Sequence, residues 1–227
     1  MKKYLSLVVC CLFSSVLLAQ AGQTQEAKTD QSDEKVMYSL GYLLGNNVKK
    51  QLILEDEDSY KSFSQGMRDS LLNRKSQTNL EEYKPLIAKK YEEDKATLAA
   101  KRKVAQDEYL KNVKKDKKSK TLSNSAVIQI EKKGKGKNPK AADTVKVHYT
   151  GKLLDGTVFD SSVARGVPAE FPLNGVIPCW TIALQEMKPG AKATLYCPPE
   201  TAYGNMQAGP IEPNSLLIFD VELLEVK

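Results

Sequence analysis

Apolar positions change their spacing along this chain, and each change predicts a different kind of element. The first apolar stretch, Leu5 to Ala19, is continuous, follows Lys2 and Lys3, and ends at Ala19-Gln20-Ala21. A basic start, a short apolar run and a small-x-small site predict a secretory signal over residues 1–21, cleaved after Ala21. The run is shorter than the ~20 apolar residues a membrane span needs. Residues 22–33 are rich in Gln, Thr, Ala and Asp, lack periodicity, and predict a disordered leader.

From there the period becomes helical. Val36, Leu40, Leu43, Leu44 and Val48 recur on one helix face. Asp56 to Ser59 supplies turn and capping residues, and Tyr60, Phe63, Met67 and Leu71 line a second helix. Asn79 with Glu82 resembles a capping box. It opens a helix running to about Lys118, in which Pro85 marks either the first turn or a kink. Across Tyr91 to Lys111 the apolar positions thin to Leu98, Val104, Tyr109 and Leu110. A helix this polar on most faces is expected to be a strut crossing solvent. The first two helices bury little by themselves. Residues 34–75 are therefore expected to pair with those of a second copy; the alternative is that they fold back on the C-terminal part.

Residues 119–140 predict a connecting strand and loop, with Ala126 to Ile130 as the strand and Gly134, Gly136 and Pro139 as punctuation. From Asp143 the period becomes two. Val145, Val147 and Tyr149 alternate with polar residues, as do Ala193, Leu195 and Cys197, and Leu217, Phe219, Val221 and Leu223 alternate with Ile218, Asp220 and Glu222. Asp155-Gly156 is a turn signal. The stretch from Trp180 to Met187 is helical, closed by Pro189-Gly190. The fold class is α+β: at residues 141–227 an antiparallel sheet wraps around one short helix, preceded at 34–118 by an all-α segment with a long connecting helix.

Charge narrows the choices only a little. The formal net charge of +6 falls to +4 once Lys2 and Lys3 leave, too little to imply nucleic acid. The run from Lys111 to Lys118 has no interleaved aromatics and is a solvated helix end, where positive charge is favoured. Of the 4 cysteines, Cys179 and Cys197 outlast the signal. In an oxidising compartment they form one disulfide; otherwise they are two buried thiols.

The usual catalytic sets are missing. The sequence has one histidine, His148, and no G-x-S-x-G, no H-E-x-x-H and no phosphate-cradling glycine loop. These absences argue against hydrolysis or group transfer by a nucleophile, and neither cofactor nor metal is implied. Aromatics are concentrated instead: Tyr149, Phe159, Phe171, Trp180, Tyr196, Tyr203 and Phe219. Trp180 is the sole tryptophan and follows Val176-Ile177-Pro178 closely, while Tyr203 opens a loop rich in Gly and Pro. An apolar concavity between helix and sheet, rimmed by a few polar groups, is how a small-molecule or peptide site is built.

Five blocks carry a family resemblance: Val145-Lys146-Val147-His148-Tyr149-Thr150-Gly151; Asp155-Gly156-Thr157-Val158-Phe159-Asp160-Ser161-Ser162; Val176-Ile177-Pro178-x-Trp180; Ala202-Tyr203-Gly204; and Pro213-Asn214-Ser215 with Phe219-Asp220-Val221-Glu222-Leu223-Leu224. In order and spacing they resemble the signature blocks of FKBP-type peptidyl-prolyl cis/trans isomerases. Tyr38-Ser39-Leu40-Gly41-Tyr42, Phe63, Gly66 and Asp69 are similar to the helical dimerisation segment of the macrophage-infectivity-potentiator branch. That resemblance implies a secreted, V-shaped homodimer of isomerases, periplasmic, with attachment to the envelope left open.

It also implies catalytic roles for Tyr149, Phe159, Asp160, Tyr203 and Phe219, and substrate binding by Val176, Ile177, Trp180 and Ile211. Trp180 would floor the pocket, with Asp160, Tyr203 and Ile211 at its rim. The partners are unfolded or proline-containing polypeptides; macrolide binding is left open. The alternative function is a dimeric holding chaperone with incidental isomerase activity. Three positions depart from the family's pattern. Ala169 stands where an aromatic is frequent, so that wall is thinner or is filled by Phe171. Glu212 replaces a proline and is expected to place a charge beside Ile211. Cys179 replaces a glycine, and with Cys197, at a position usually aliphatic, it suggests a disulfide.

Overall fold

The computed structural model describes residues 33–227. The signal and nearly all of the expected leader lie outside the described residues; Asp33 begins the first helix. The chain divides into one unit ending at Val48 and a second from Lys49 to Lys227.

The described part of the first unit is helix α1, Asp33–Lys49, whose C-terminal residue Lys49 opens the second unit. Asp33 and Glu34 in the first turn and Lys49 in the last carry the signs that favour a helix dipole. None of its residues is buried, and Val36, Met37, Tyr38, Leu40, Tyr42 and Leu43 all stand exposed.

In the second unit, α2 (Glu57–Leu71) starts where the Asp56 carboxylate accepts the Ser59 backbone N–H at 2.6 Å. Helix α3 (Leu80–Lys115) is capped by Asn79, whose side chain accepts from the Glu81 N–H at 3.2 Å. Pro85 lies in the second turn, where it cannot donate to the Glu81 carbonyl.

The sheet follows: β1 (Ser119–Thr121), β2 (Val127–Lys132), β3 (Thr144–Lys152), β4 (Val158–Ser161), β5 (Ala169–Pro172), β6 (Lys192–Cys197) and β7 (Leu217–Val226). Its order is β1-β2-β6-β7-β3-β4, with β5 also on β3, and every pairing is antiparallel. Strand β3 alternates strictly between buried and half-buried positions, as its sequence requires. Helix α4 (Pro178–Leu184) covers the inner face and buries Cys179, Trp180, Ala183 and Leu184. Pro178 sits in its first turn, where the missing N–H costs nothing.

The outer face departs from the alternation. Thr194 and Tyr196 on β6 and Ile218 on β7 point away from α4 and are buried too. Val127, Tyr196 and Ile218 form a second apolar cluster with Leu110 and Val113 of α3 and with Leu154. The Tyr109 and Tyr196 rings meet at 6.1 Å. Burial, reinforced by Tyr109, pushes the Tyr196 phenol up to about 12, and its hydroxyl donates to Gln129 Oε1 at 3.0 Å.

The expectation that α3 crosses solvent throughout is thereby corrected: its C-terminal half lies on the sheet. The covered stripe runs through Tyr91, Asp94, Leu98, Arg102, Gln106, Leu110 and Val113, at steps of one helical turn. Asp94, Arg102 and Gln106 in that stripe are polar, which is why no apolar period marks it. Asp94 accepts the Ile53 N–H at 2.9 Å and the Lys90 ammonium at 2.8 Å, and these bonds outweigh burial and hold its carboxyl below the usual range.

Candidate active site

Strand register assembles the site. Gly151 on β3 lies opposite Asp160 of β4 on one side and Phe219 of β7 on the other. The first turn of α4 then sets Trp180 over that face. The Trp180 ring is 5.2 Å from Tyr149, 5.2 Å from Phe219 and 5.8 Å from Phe171, each edge to face. Phe159 meets Phe219 at 5.5 Å, also edge to face. Such contacts direct ring edges onto π faces and add about 0.5–1.5 kcal/mol each beyond the area they bury.

Trp180, Tyr149 and Phe219 are buried, while Phe159, Phe171, Val176 and Ile177 remain half-buried against them. The Trp180 indole N–H has no hydrogen-bond partner among the described residues. Phe171 touches both Tyr149 and Trp180, so it takes the wall that Ala169 leaves open.

The polar edge is a three-member group. The Tyr149 hydroxyl donates to Asp160 Oδ2, and the Arg165 guanidinium donates to Asp160 Oδ1. A second Arg165 nitrogen donates to the Tyr149 hydroxyl at 3.2 Å, and the guanidinium carbon lies 5.8 Å from the centre of that ring. Burial works to raise the Asp160 carboxyl, yet the bonds from Tyr149 and Arg165 outweigh it and hold the group below its ordinary value. Burial and the bond to Asp160 push the Tyr149 phenol up.

Arg165 carries no motif of its own; the sequence shows only a cation five residues after Asp160. Ser162 fixes the strand from behind. Its hydroxyl accepts the Tyr149 backbone N–H at 2.8 Å and lies 3.1 Å from His148 Nδ1, on the face away from the rings.

The 202–211 loop closes the far side. Ile211 is buried in the core cluster, with Ala202 and Ala208 packed against that cluster, whereas Tyr203 stands 37% exposed at the loop's start. Glu212 does not face the aromatic cluster. Its carboxylate is turned outward onto Arg102 of α3, correcting the expectation of a charge beside Ile211.

The structure joins Cys179 to Cys197, with Cα atoms 5.5 Å apart and both residues fully buried. The bridge ties the first turn of α4 to the end of β6, one residue from Trp180. Closing a loop of this length contributes roughly 3 kcal/mol by restricting the unfolded chain. Intact mass without reductant is expected to be lower by two hydrogens than after reduction. The double variant Cys179→Ala/Cys197→Ala is expected to lose about 2–4 kcal/mol in urea unfolding.

Comparison with known proteins places this geometry. Residues 135–224 match the family model "FKBP-type peptidyl-prolyl cis-trans isomerase", and residues 33–126 match "Domain amino terminal to FKBP-type peptidyl-prolyl isomerase". The chain is 40% identical to the FKBP-type isomerase FkpA of Escherichia coli K12, over 86% of its own length and 76% of the relative's. It is 37% identical to a probable FKBP-type isomerase of Haemophilus influenzae, covering 100% and 98%. It is also 37% identical to the Coxiella burnetii isomerase Mip, covering 88% of each. Among solved structures, that of Escherichia coli FkpA matches with a TM-score of 0.60 at 36% identity, covering 87% of this chain and 98% of the other.

The chain belongs to the FKBP-type peptidyl-prolyl cis-trans isomerases. It is an α+β enzyme whose C-terminal antiparallel sheet follows helices of the family's amino-terminal domain.

Proposed function

We propose that isomerisation takes place in the aromatic box, with Trp180 as its floor and Tyr149, Phe159, Phe219, Val176 and Ile177 as its walls. The observation that carries this reading is the aromatic cluster itself: Tyr149 and Phe219 set edge to face on Trp180, Phe159 edge to face on Phe219, and Phe159, Val176 and Ile177 left half-buried beside them. No nucleophile is required. Rotating an X–Pro bond costs about 18–20 kcal/mol because amide resonance must be broken. That resonance places negative charge on the carbonyl oxygen, which water stabilises and an aromatic box does not. Moving the imide out of water therefore favours the twisted bond over the planar one. The Ile177 backbone N–H and the Tyr203 hydroxyl hold the flanking carbonyls, and Ile211 closes the proline site. Asp160, braced by Arg165, orients Tyr149. Only contacts made better to the twisted state raise the rate.

The test is a protease-coupled assay on a short X–Pro peptide. A rate no higher than background with folded protein would sink the reading. The pH dependence is specific. Asp160 lies below its ordinary value, so its contribution is fully present above that value and lost as pH falls through the lower, folded one. Tyr149 is raised, so its contribution is present below its ordinary value and lost only as pH rises through a higher one. With ordinary values of about 3.9 and 10, kcat/KM is expected to be flat from about pH 5 to 9. Asp160→Ala is expected to lower it about tenfold and to abolish the acid limb. An unaltered acid limb in that variant would remove Asp160 from the site.

The exposed apolar side chains of α1, and Tyr60, Met67 and Leu71 on α2, support a homodimer through residues 34–75. Exposed large apolar side chains grouped on a helix are a mark of an interaction site. The dimer fits a V-shaped, periplasmic folding helper that receives unfolded polypeptides, with the holding-chaperone role as the second reading. Sedimentation equilibrium showing a monomer at micromolar concentration would exclude the dimer.

A further inference from the structure

The loop between Thr201 and Leu216 carries two members of the proposed substrate rim, Tyr203 and Ile211. It has little regular structure to hold it. Its internal bonds are local: Gly204 N–H to Pro199 O at 2.8 Å, Asn214 N–H to Gly204 O at 2.7 Å, a reciprocal Ala208–Ile211 pair at 3.0 Å, and Ser215 Oγ to Glu212 O at 2.6 Å. Asn214 takes a left-handed backbone, φ 58°. Such a segment needs fixing from outside if its rim residues are to hold one geometry.

Helix α3 supplies that fixing one turn apart. The Arg102 guanidinium pairs with the Glu212 carboxylate through one nitrogen, and through another it reaches the Pro213 carbonyl at 3.4 Å. One turn on, Gln106 is buried. With its amide assigned in the orientation that satisfies both neighbours, its side-chain nitrogen donates to the Asn214 carbonyl at 3.1 Å and its oxygen accepts the Leu216 N–H at 3.3 Å. Four of the five positions from Glu212 to Leu216, all but Ser215, are thus bonded to two side chains of one helix. Ile211 faces the aromatic cluster while the adjacent Glu212 faces α3, so the loop is gripped on one side and presents its apolar residue on the other.

We propose that Arg102 and Gln106 are positioning residues for catalysis, holding the Tyr203–Ile211 rim through Glu212 and Asn214. Neither touches the peptide. Their effect is on how well the rim is preorganised, and it rests on the assignment of Tyr203 and Ile211 to the substrate site.

The experiment uses the full chain and an X–Pro peptide series. Arg102→Ala and Gln106→Ala are each expected to raise KM about threefold to tenfold with kcat within about twofold, since a loosened rim weakens binding of planar and twisted peptide alike. The charge-reversed pair Arg102→Glu with Glu212→Arg is expected to recover most of the loss seen in Arg102→Glu alone. Should Arg102→Ala fail to fold, Arg102→Gln carries the same test. A structural brace alone would lower the melting temperature without moving KM, and that outcome overturns the proposal, as does a reversed pair no better than the single variant. Loss of activity in Trp180→Ala together with a silent Arg102→Ala would leave the pocket standing and dismiss only this inference. Retained activity in Trp180→Ala would dismiss the pocket first.

Discussion

Trp180→Ala is expected to lower kcat/KM on short X–Pro peptides by at least about tenfold and to destabilise the fold by about 3–5 kcal/mol. Two losses combine. The indole is buried and makes three edge-to-face contacts, so its removal leaves a cavity that Tyr149, Phe171 and Phe219 cannot fill without leaving their places. The same removal takes the floor from the box and readmits water to the site of the imide. Urea unfolding separates the effects, because the residual protein stays folded at low denaturant if the starting stability is of the ordinary 5–15 kcal/mol. Trp180→Phe, which keeps an apolar ring, is expected to retain most of the rate. A folded Trp180→Ala enzyme with unchanged kcat/KM would show that the box is core and not site.

Gly151→Ala is expected to act in the opposite sense, by filling the site and not by emptying it. A β-carbon at Gly151 would stand 2.6 Å from two carbons of the Phe159 ring and 2.9 Å from one of the Phe219 ring. Neither ring is the loose end of a flexible chain; each is set against its neighbours, and the two meet edge to face. One methyl group therefore drives both walls inward or apart. Overpacking of this kind costs about 1–3 kcal/mol, and the displaced walls are expected to lower kcat/KM about tenfold or more, since small misplacements at a site are amplified in rate. Peptide turnover measured beside thermal unfolding checks it. A variant with a lowered melting temperature and full activity would show that Phe159 lies outside the site.

The inner half of this fold is written in period two and helical spacing, because one side of β3 meets α4 while its other side is only half covered. The same rule fails on β6 and β7. Tyr196 and Ile218 are placed where alternation expects solvent, and they are buried by a helix whose own sequence advertises no apolar face. Asp94, Arg102 and Gln106 occupy the covered stripe of α3. Their burial is satisfied by backbone groups and opposite charges that no local pattern reveals. The aromatic members of the site were legible as residues because their motif spacing is distinctive. Arg165 and the Arg102–Glu212 pair were not, since a charged residue in a loop or on a long helix looks solvated until its partner is placed. A practical consequence follows for shortening the chain. Cutting at residue 118 removes Tyr109, Leu110 and Val113 from the sheet and exposes Tyr196 and Ile218, so a catalytic domain that keeps the C-terminal half of α3 is expected to be the more stable one.

The unpartnered indole N–H of Trp180 has an optical meaning. As the only tryptophan in the chain, buried among rings and without a hydrogen-bond partner among the described residues, it is expected to give the protein a single blue-shifted tryptophan emission from the floor of the box. A proline-containing peptide that enters is expected to change the polarity around the one tryptophan of the chain. Binding can therefore be followed by intrinsic emission on unmodified protein, and the amplitude of the change reports how much solvent the peptide displaces from the indole.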